Sequence, residues 1–183
     1  MSTHPHCGTA WYWSHPQGLA LPAEGMLSFE PAASVPTRNP ATHVTQHPFH
    51  FAFFVKDIPS TRRFYGDLLG CREGRSSEHW VDFDFFGNQI SAHVSDAIPP
   101  TRNAAQVDGI AVPMPHFGCL VPEDEFHRLA RQLESEGEVS FIIRPRVRFE
   151  GQPDEQLTMF LRDFSGNAIE MKSFRNPENV YTP

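Results

Sequence analysis

His50-Phe51-Ala52-Phe53-Phe54-Val55 and His116-Phe117-Gly118-Cys119-Leu120-Val121 are the two stretches whose likeness decides the fold. In each, a histidine opens a short apolar run that reads as a buried strand. Alternate side chains of a strand share a face, so His50 points with Ala52 and Phe54, and His116 with Gly118 and Leu120. The likeness extends along the chain on both sides of the helices that follow. After the first run, Asp57-Ile58-Pro59-Ser60 supplies cap chemistry, Phe64, Leu68 and Leu69 form an apolar stripe, and Gly70 ends it. After the second, the stripe is Phe126, Leu129, Ala130 and Leu133, stopped by Gly137. Each half then closes on a Gly-Asn turn that leads into a last strand: Asp84-Phe85-Phe86-Gly87-Asn88-Gln89-Ile90 against Asp163-Phe164-Ser165-Gly166-Asn167-Ala168-Ile169. The pattern predicts an α+β fold of two βαβββ repeats, at about residues 49–95 and 115–174. The second repeat is lengthened around Arg144 to Gln156 by a charged Pro/Gly segment, either a loop that covers a site or a solvated hairpin loop.

Outward from the repeats, residues 47–176 read as the domain. Residues 1–46, rich in Pro, His, Ser, Thr and Ala without a helical or strand period, read as an extended or disordered arm, and 177–183 as a C-terminal tail. In the arm, Trp11, Tyr12 and Trp13 are suited to docking on the domain or on a second subunit, whereas His4, His6, Cys7 and His15 have no scaffold to hold them as metal ligands. With 183 residues, 39% apolar and 16 of them Phe, the chain can build one sizeable core and not two full domains. A formal net charge of −7 and the lack of a Lys/Arg-rich run argue against nucleic acid or an anionic membrane surface and favour a small-molecule partner. Three cysteines without CxxC spacing indicate neither a disulfide framework nor a zinc knuckle. No apolar run approaches a membrane span and no basic-then-apolar leader is visible, so the expected location is the cytoplasm.

Chemistry concentrates at three positions. A histidine at the mouth of an apolar strand occurs twice at equivalent places, His50 and His116, and Glu170 lies inside the last strand beside Ile169 and Met171. A carboxylate so placed must be paired or must coordinate a metal, because burying it bare is costly. Two structural histidines bonded to backbone, with Glu170 paired to Arg162 or Arg175, are the alternative.

Strand-helix-strands in duplicate, with a histidine opening each half and a glutamate in the last strand, resembles the vicinal oxygen chelate superfamily. Its members include glyoxalases, extradiol dioxygenases, fosfomycin-modifying transferases, methylmalonyl-CoA epimerases and bleomycin-binding proteins. The resemblance covers residues 49 to about 174 and is carried by HFAFFV (50–55), PHFGCLV (115–121) and RDFSGNAIEMKSF (162–174). It implies a cupped, barrel-like mixed sheet around a divalent metal bound by His50, His116 and Glu170. Glyoxalases generally add a fourth ligand, a carboxylate in the last strand of the first half; here that position is Ser91, a poor ligand. Two histidines and one carboxylate with open positions suit a non-haem Fe(II) dioxygenase acting on a catechol-like substrate with vicinal oxygens. The alternatives are a glyoxalase-like lyase or isomerase, or a thiol transferase, using Ni, Co, Zn or Mn as a Lewis acid, and a small-molecule binding protein of the bleomycin-resistance kind. Members of the family often dimerise, some building the site across the interface by exchanging halves, so a homodimer is one implied arrangement; one chain also has strands enough for a complete cup.

Four further residues are candidates. His93, two residues beyond Ser91 and on the same strand face roughly 6 to 7 Å along, is either a fourth ligand or general acid-base, or a surface histidine. Arg148 is placed to meet an anionic substrate, or is merely solvated. Phe54 and Phe149, with Phe53 and Phe85, line an aromatic pocket or belong to the core. His79 and Tyr65 read as core or surface residues, and Cys119 alternates away from His116, which indicates no catalytic nucleophile.

Overall fold

The structure, a computed structural model, describes residues 47–99 and 102–181. The expected arm over 1–46, with its Trp11-Tyr12-Trp13 cluster and its histidines, lies outside the described residues.

Strand β1 (His50–Val55) leads into helix α1 (Ile58–Thr61). Asp57 caps that helix by accepting the Ser60 N–H on Oδ1 at 2.7 Å, and Pro59 occupies the first turn, where its missing N–H costs nothing. The helix runs on as a widened π-helical stretch, Arg62–Leu68, burying Phe64, Tyr65 and Leu68. Strands β2 (Arg72–Ser76), β3 (Trp80–Phe85) and β4 (Asn88–Val94) complete a four-stranded sheet in the order β1-β4-β3-β2, with β1 and β4 parallel. The second half repeats the plan. Strand β7 (Phe117–Leu120), helix α2 (Glu123–Ser135) and strands β8 (Ser140–Arg148), β9 (Gln156–Arg162) and β10 (Ala168–Phe174) give the order β7-β10-β9-β8, again with the first and last strands parallel. Glu123, Asp124 and Glu125 place negative charge on the first turn of α2, where the helix dipole favours it.

The core lies between each sheet and its helix and is continuous across the halves. Phe64, Tyr65, Phe83 and Ile90 join Phe126, Leu129, Met159, Leu161, Ile169 and Met171 in one cluster. Where β1 meets β7, the rings of Phe51 and Phe53 pack on Phe117 at 4.8 and 5.2 Å between centroids. Polar ties reinforce the seam: Asn167 Nδ2 donates to the Phe54 carbonyl at 2.9 Å, the Lys56 N–H to Ser165 Oγ at 3.0 Å, and the Tyr65 hydroxyl to Asp163 Oδ2 at 3.0 Å. The two sheets share no hydrogen-bonded ladder and neither closes on itself, so among the described residues the two repeats are present as two open four-stranded mixed sheets.

Two elements depart from the sequence reading. Between the repeats, strands β5 (Asn103–Val107) and β6 (Ile110–Met114) form a hairpin around Asp108 and Gly109, both at positive φ. Val112 of this hairpin packs on Ile143 and Phe160, a second small core on the face of the second sheet that looks away from α2. The supposed loop from Arg144 is also shorter than expected, because β8 continues to Arg148 and pairs with β9 through a bulged register. In the tail, Pro177–Tyr181 forms a 3-10 turn. No helix among the described residues is long and apolar enough to cross a membrane.

Candidate metal centre

Glu170 lies in β10 opposite Gly118 of β7. A Cβ on residue 118 would stand 1.6 Å from the Glu170 carbonyl oxygen, so only glycine lets the two strands run this close. While Ile169 and Met171 enter the core, Glu170 faces the opposite side of the sheet, 9% exposed. Thr158, on the neighbouring strand, donates its hydroxyl to Glu170 Oε1 at 3.0 Å, and Lys172 Nζ lies 3.3 Å from the same oxygen. The other oxygen, Oε2, faces His116 Nε2 at 3.5 Å.

His116 stands immediately before β7, its ring set edge-on against Phe160 at 5.1 Å. Its Nδ1 is 2.9 Å from the Pro113 carbonyl oxygen. A carbonyl only accepts, so Nδ1 carries the proton, and Nε2 is the nitrogen left to offer a lone pair on the Glu170 side. A histidine nitrogen and a carboxylate oxygen thus converge as two electron-pair donors, with the remaining ring N–H fixed by backbone in the manner of metal-bound histidines. This donor set fits a divalent cation. Neither Arg162, which donates to the Gly166 carbonyl, nor Arg175, which pairs with Glu155, reaches Glu170.

His50 stands elsewhere, at the start of β1 on the solvent side of the first sheet. Its Nδ1 is 3.0 Å from Gln89 Oε1, Gln89 Nε2 donates to Asp82 Oδ2 at 3.1 Å, and Ser91 Oγ donates to Asp82 Oδ1 at 2.5 Å. Among the described residues no three of His, Cys, Asp and Glu gather closely enough to hold a metal, so one chain brings together His116 and Glu170 but not His50. His93 is opposite Phe54 in the register and stacks on Trp80 at 6.5 Å, on the same face as His50. Phe54, 49% exposed, joins Met114, His116 and Asn167 in a groove of about 620 Å³ along the β1 and β7 edges. Arg148 is held: its guanidinium grips Asp108 with Nε and Nη2 at 2.8 and 3.0 Å, and lies 4.6 Å over the Phe149 ring. Arg148 Nη2 and its neighbour Arg146 keep the Asp108 carboxyl below the usual carboxylate range. Phe53 and Phe85 belong to the core.

Sequence reading passed over Thr158, Lys172, Gln89 and Asp82. Counting by twos from Glu170 and across the β9–β10 pairing reaches Thr158 and Lys172, and the same count from Ser91 reaches Gln89. Away from the candidate ligands, burial pushes the Cys71 thiol up to about 12 and raises Cys119 as well, so neither is a nucleophile near neutrality.

Comparison with known proteins agrees with this architecture. A family model described as the Glyoxalase/Bleomycin resistance protein/Dioxygenase superfamily matches residues 47–171. A solved glyoxalase/bleomycin resistance protein/dioxygenase from Alicyclobacillus acidocaldarius is 29% identical, covering 79% of this chain and 100% of its own, with a TM-score of 0.60. The fosfomycin resistance protein FosX from Listeria monocytogenes is 17% identical over 74% of this chain and 98% of its own, TM-score 0.54, which is a likeness of fold. The FosX protein from Mesorhizobium loti stands similarly, at 15% identity over 74% and 98%, TM-score 0.53. No curated protein matches the sequence.

Proposed function

Because this chain belongs to the glyoxalase/bleomycin resistance protein/dioxygenase superfamily, we propose that it is a divalent-metal enzyme whose ligands are His50, His116 and Glu170 and whose substrate is a small molecule with vicinal oxygens. The observation that carries this is the approach of His116 Nε2 and Glu170 Oε2 to 3.5 Å, with Nδ1 and Oε1 each occupied by other partners. The separation of His50 from that pair points to assembly from two copies, His50 of one meeting His116 and Glu170 of the other. Strands β1 and β7 support this, because among the described residues each is hydrogen-bonded on one side only and presents apolar side chains, Phe54 at 49% and Leu120 at 46% exposure.

Within the site, Pro113 fixes the tautomer of His116, Thr158 and Lys172 hold Glu170 Oε1 so that Oε2 is the free donor, and Lys172 leaves positive charge beside the place where substrate oxygens would sit. A bound metal would supply Lewis acidity and, if it is ferrous iron, the activation of dioxygen. Ser91, spent on Asp82, is not available as a fourth ligand, and three protein ligands with open positions favour a dioxygenase-like reaction on a catechol-like substrate. The second reading, a lyase, isomerase or thiol transferase with Ni, Zn or Mn, is favoured by the charge left over where Arg146 and Arg148 have one carboxylate, Asp108, between them, a net positive charge on the second sheet suited to an anionic substrate.

Elemental analysis of anaerobically purified protein, followed by oxygen uptake with Fe(II) and a panel of catechols, separates these readings. Stoichiometric iron and substrate-dependent oxygen consumption are expected of the first. Nickel, zinc or manganese with turnover indifferent to oxygen would transfer the assignment to the second, and His116→Ala or Glu170→Ala protein that still binds metal in full would remove the ligand set.

A further inference from the structure

The first repeat contains a buried carboxylate to which the ligand set gives no part. Asp82 is 5% exposed and stands opposite Ser91 in the β3–β4 register, just as Phe160 stands opposite Glu170 in the second repeat. The carboxylate of the first half is therefore one strand further from the histidine than the carboxylate of the second. Gln89 fills the gap. It lies opposite His50 in the β1–β4 register and reaches both groups, at 3.0 Å to His50 Nδ1 and 3.1 Å to Asp82 Oδ2.

The hydrogen-bond directions in this chain of three are not free. An ionised Asp82 only accepts, and it also receives Ser91 Oγ and, at 3.3 Å, Arg75 Nη2. Gln89 must then turn its NH₂ toward Asp82, which aims its carbonyl oxygen at His50. An amide oxygen only accepts, so His50 must donate from Nδ1, and its Nε2 is left with a lone pair. Pro113 imposes the same tautomer on His116 through a backbone carbonyl.

We propose that Gln89, oriented by Asp82, is a positioning residue that holds His50 in the Nδ1–H tautomer with Nε2 free to bind metal. This rests on the reading of His50 as a ligand. Partners of this kind set ring orientation and basicity, and losing one lowers metal affinity by roughly 10- to 100-fold.

The test uses the full chain. Long-range ¹H–¹⁵N correlation spectra of metal-free protein, with His50 assigned by its loss in His50→Gln, report the tautomer directly, and calorimetric titration with zinc reports affinity. In the wild type we expect His50 with its proton on Nδ1. Gln89→Met, close in shape and without an acceptor, is expected to shift His50 toward the Nε2–H tautomer and to weaken zinc binding by roughly 10- to 100-fold with an unchanged melting curve. The double variant Gln89→Glu with Asp82→Asn exchanges donor and acceptor between the two side chains while keeping an oxygen toward Nδ1–H, and is expected to keep both the tautomer and affinity within a few-fold of wild type. An Nε2–H tautomer in the wild type, a Gln89→Met protein unchanged in tautomer or affinity, or a Gln89→Glu/Asp82→Asn protein as impaired as Gln89→Met would each overturn the proposal. His50→Ala separates the two levels: full zinc affinity in that variant would remove His50 from the ligand set, while the wild-type tautomer would still report whether Gln89 directs the ring.

Discussion

At Gly118 the difference of one methyl group bears on both folding and the metal centre. The ideal Cβ position falls 1.6 Å from the carbonyl oxygen of Glu170, which is backbone and cannot swing aside as a side chain could. Gly118→Ala must therefore push β7 away from β10 at the residue that carries a proposed ligand. Overpacking of this kind costs about 1–3 kcal/mol, which urea unfolding would read as a lower midpoint. Because the displacement is centred on Glu170, zinc affinity is expected to fall further than the stability loss alone implies; a variant with native stability and native zinc affinity would show that the strands separate without consequence. The candidate ligands were legible in the sequence, because duplication singled out His50 and His116 and alternation put Glu170 opposite the core side chains of its own strand, yet one chain brings only His116 and Glu170 together. Their supporting partners were not, since Thr158 reaches Glu170 and Gln89 reaches His50 across strand pairings whose register no single segment reveals. Arg148 illustrates the converse. As an isolated loop arginine it invited a substrate, whereas the folded chain places it in a strand and gives it Asp108.

Among the elements, helix α1 is specified most locally. Asp57 in extended backbone accepts the Ser60 N–H, and that bond, ahead of the opposing effect of burial, holds its carboxyl below the usual range. A carboxyl lowered by folding adds stability above its unfolded value of about 3.9, and this contribution is lost as the pH falls through the lowered native value. Asp57→Ala is accordingly expected to cost about 1 kcal/mol at neutral pH, and the gap from wild type to narrow as the pH drops below about 4. Thermal melts of both proteins from pH 7 to pH 3 would show it, and a gap that stays constant would mean that the side chain acts by something other than its charge. Cap, stripe and stop were all visible in the sequence because helix signals are local. The β5–β6 hairpin does not show in the repeat pattern, because it lies between the two repeats and has no counterpart within either, although Asp108-Gly109 between apolar residues is a strong turn signal. The extent of β8 was misjudged for a different reason: Arg144, Pro145 and Arg146 look like loop, and the bulged pairing with β9 is what keeps them in the sheet.

At the scale of the whole molecule, the question is how two half-cups become one site. The repeats pack through their helix-side faces, with Phe51, Phe53 and Phe117 at the seam, so the opposite faces, which carry His50 on one sheet and His116 with Glu170 on the other, are turned to different surroundings within one chain. Duplication was readable in the sequence, but the choice between joining the halves within a chain and between chains depends on the seam, and no strand records it alone. A two-fold dimer that pairs the first half of one copy with the second half of the other would contain two equivalent sites, each using His50 from one chain and His116 and Glu170 from its partner. Such sharing makes a distinctive prediction for mixtures of inactive variants. In a mixed dimer of His50→Ala and Glu170→Ala chains, one site would carry both substitutions and the other neither. Random exchange of equal amounts would thus restore about a quarter of the wild-type sites, read as tight zinc binding or as activity, whereas each variant alone would show none. If each chain instead supplied its own complete site, every site in the mixture would carry one substitution and nothing would return. The mixing experiment needs no knowledge of the substrate, and sedimentation of the wild type at the same concentrations would establish that the restored sites belong to dimers.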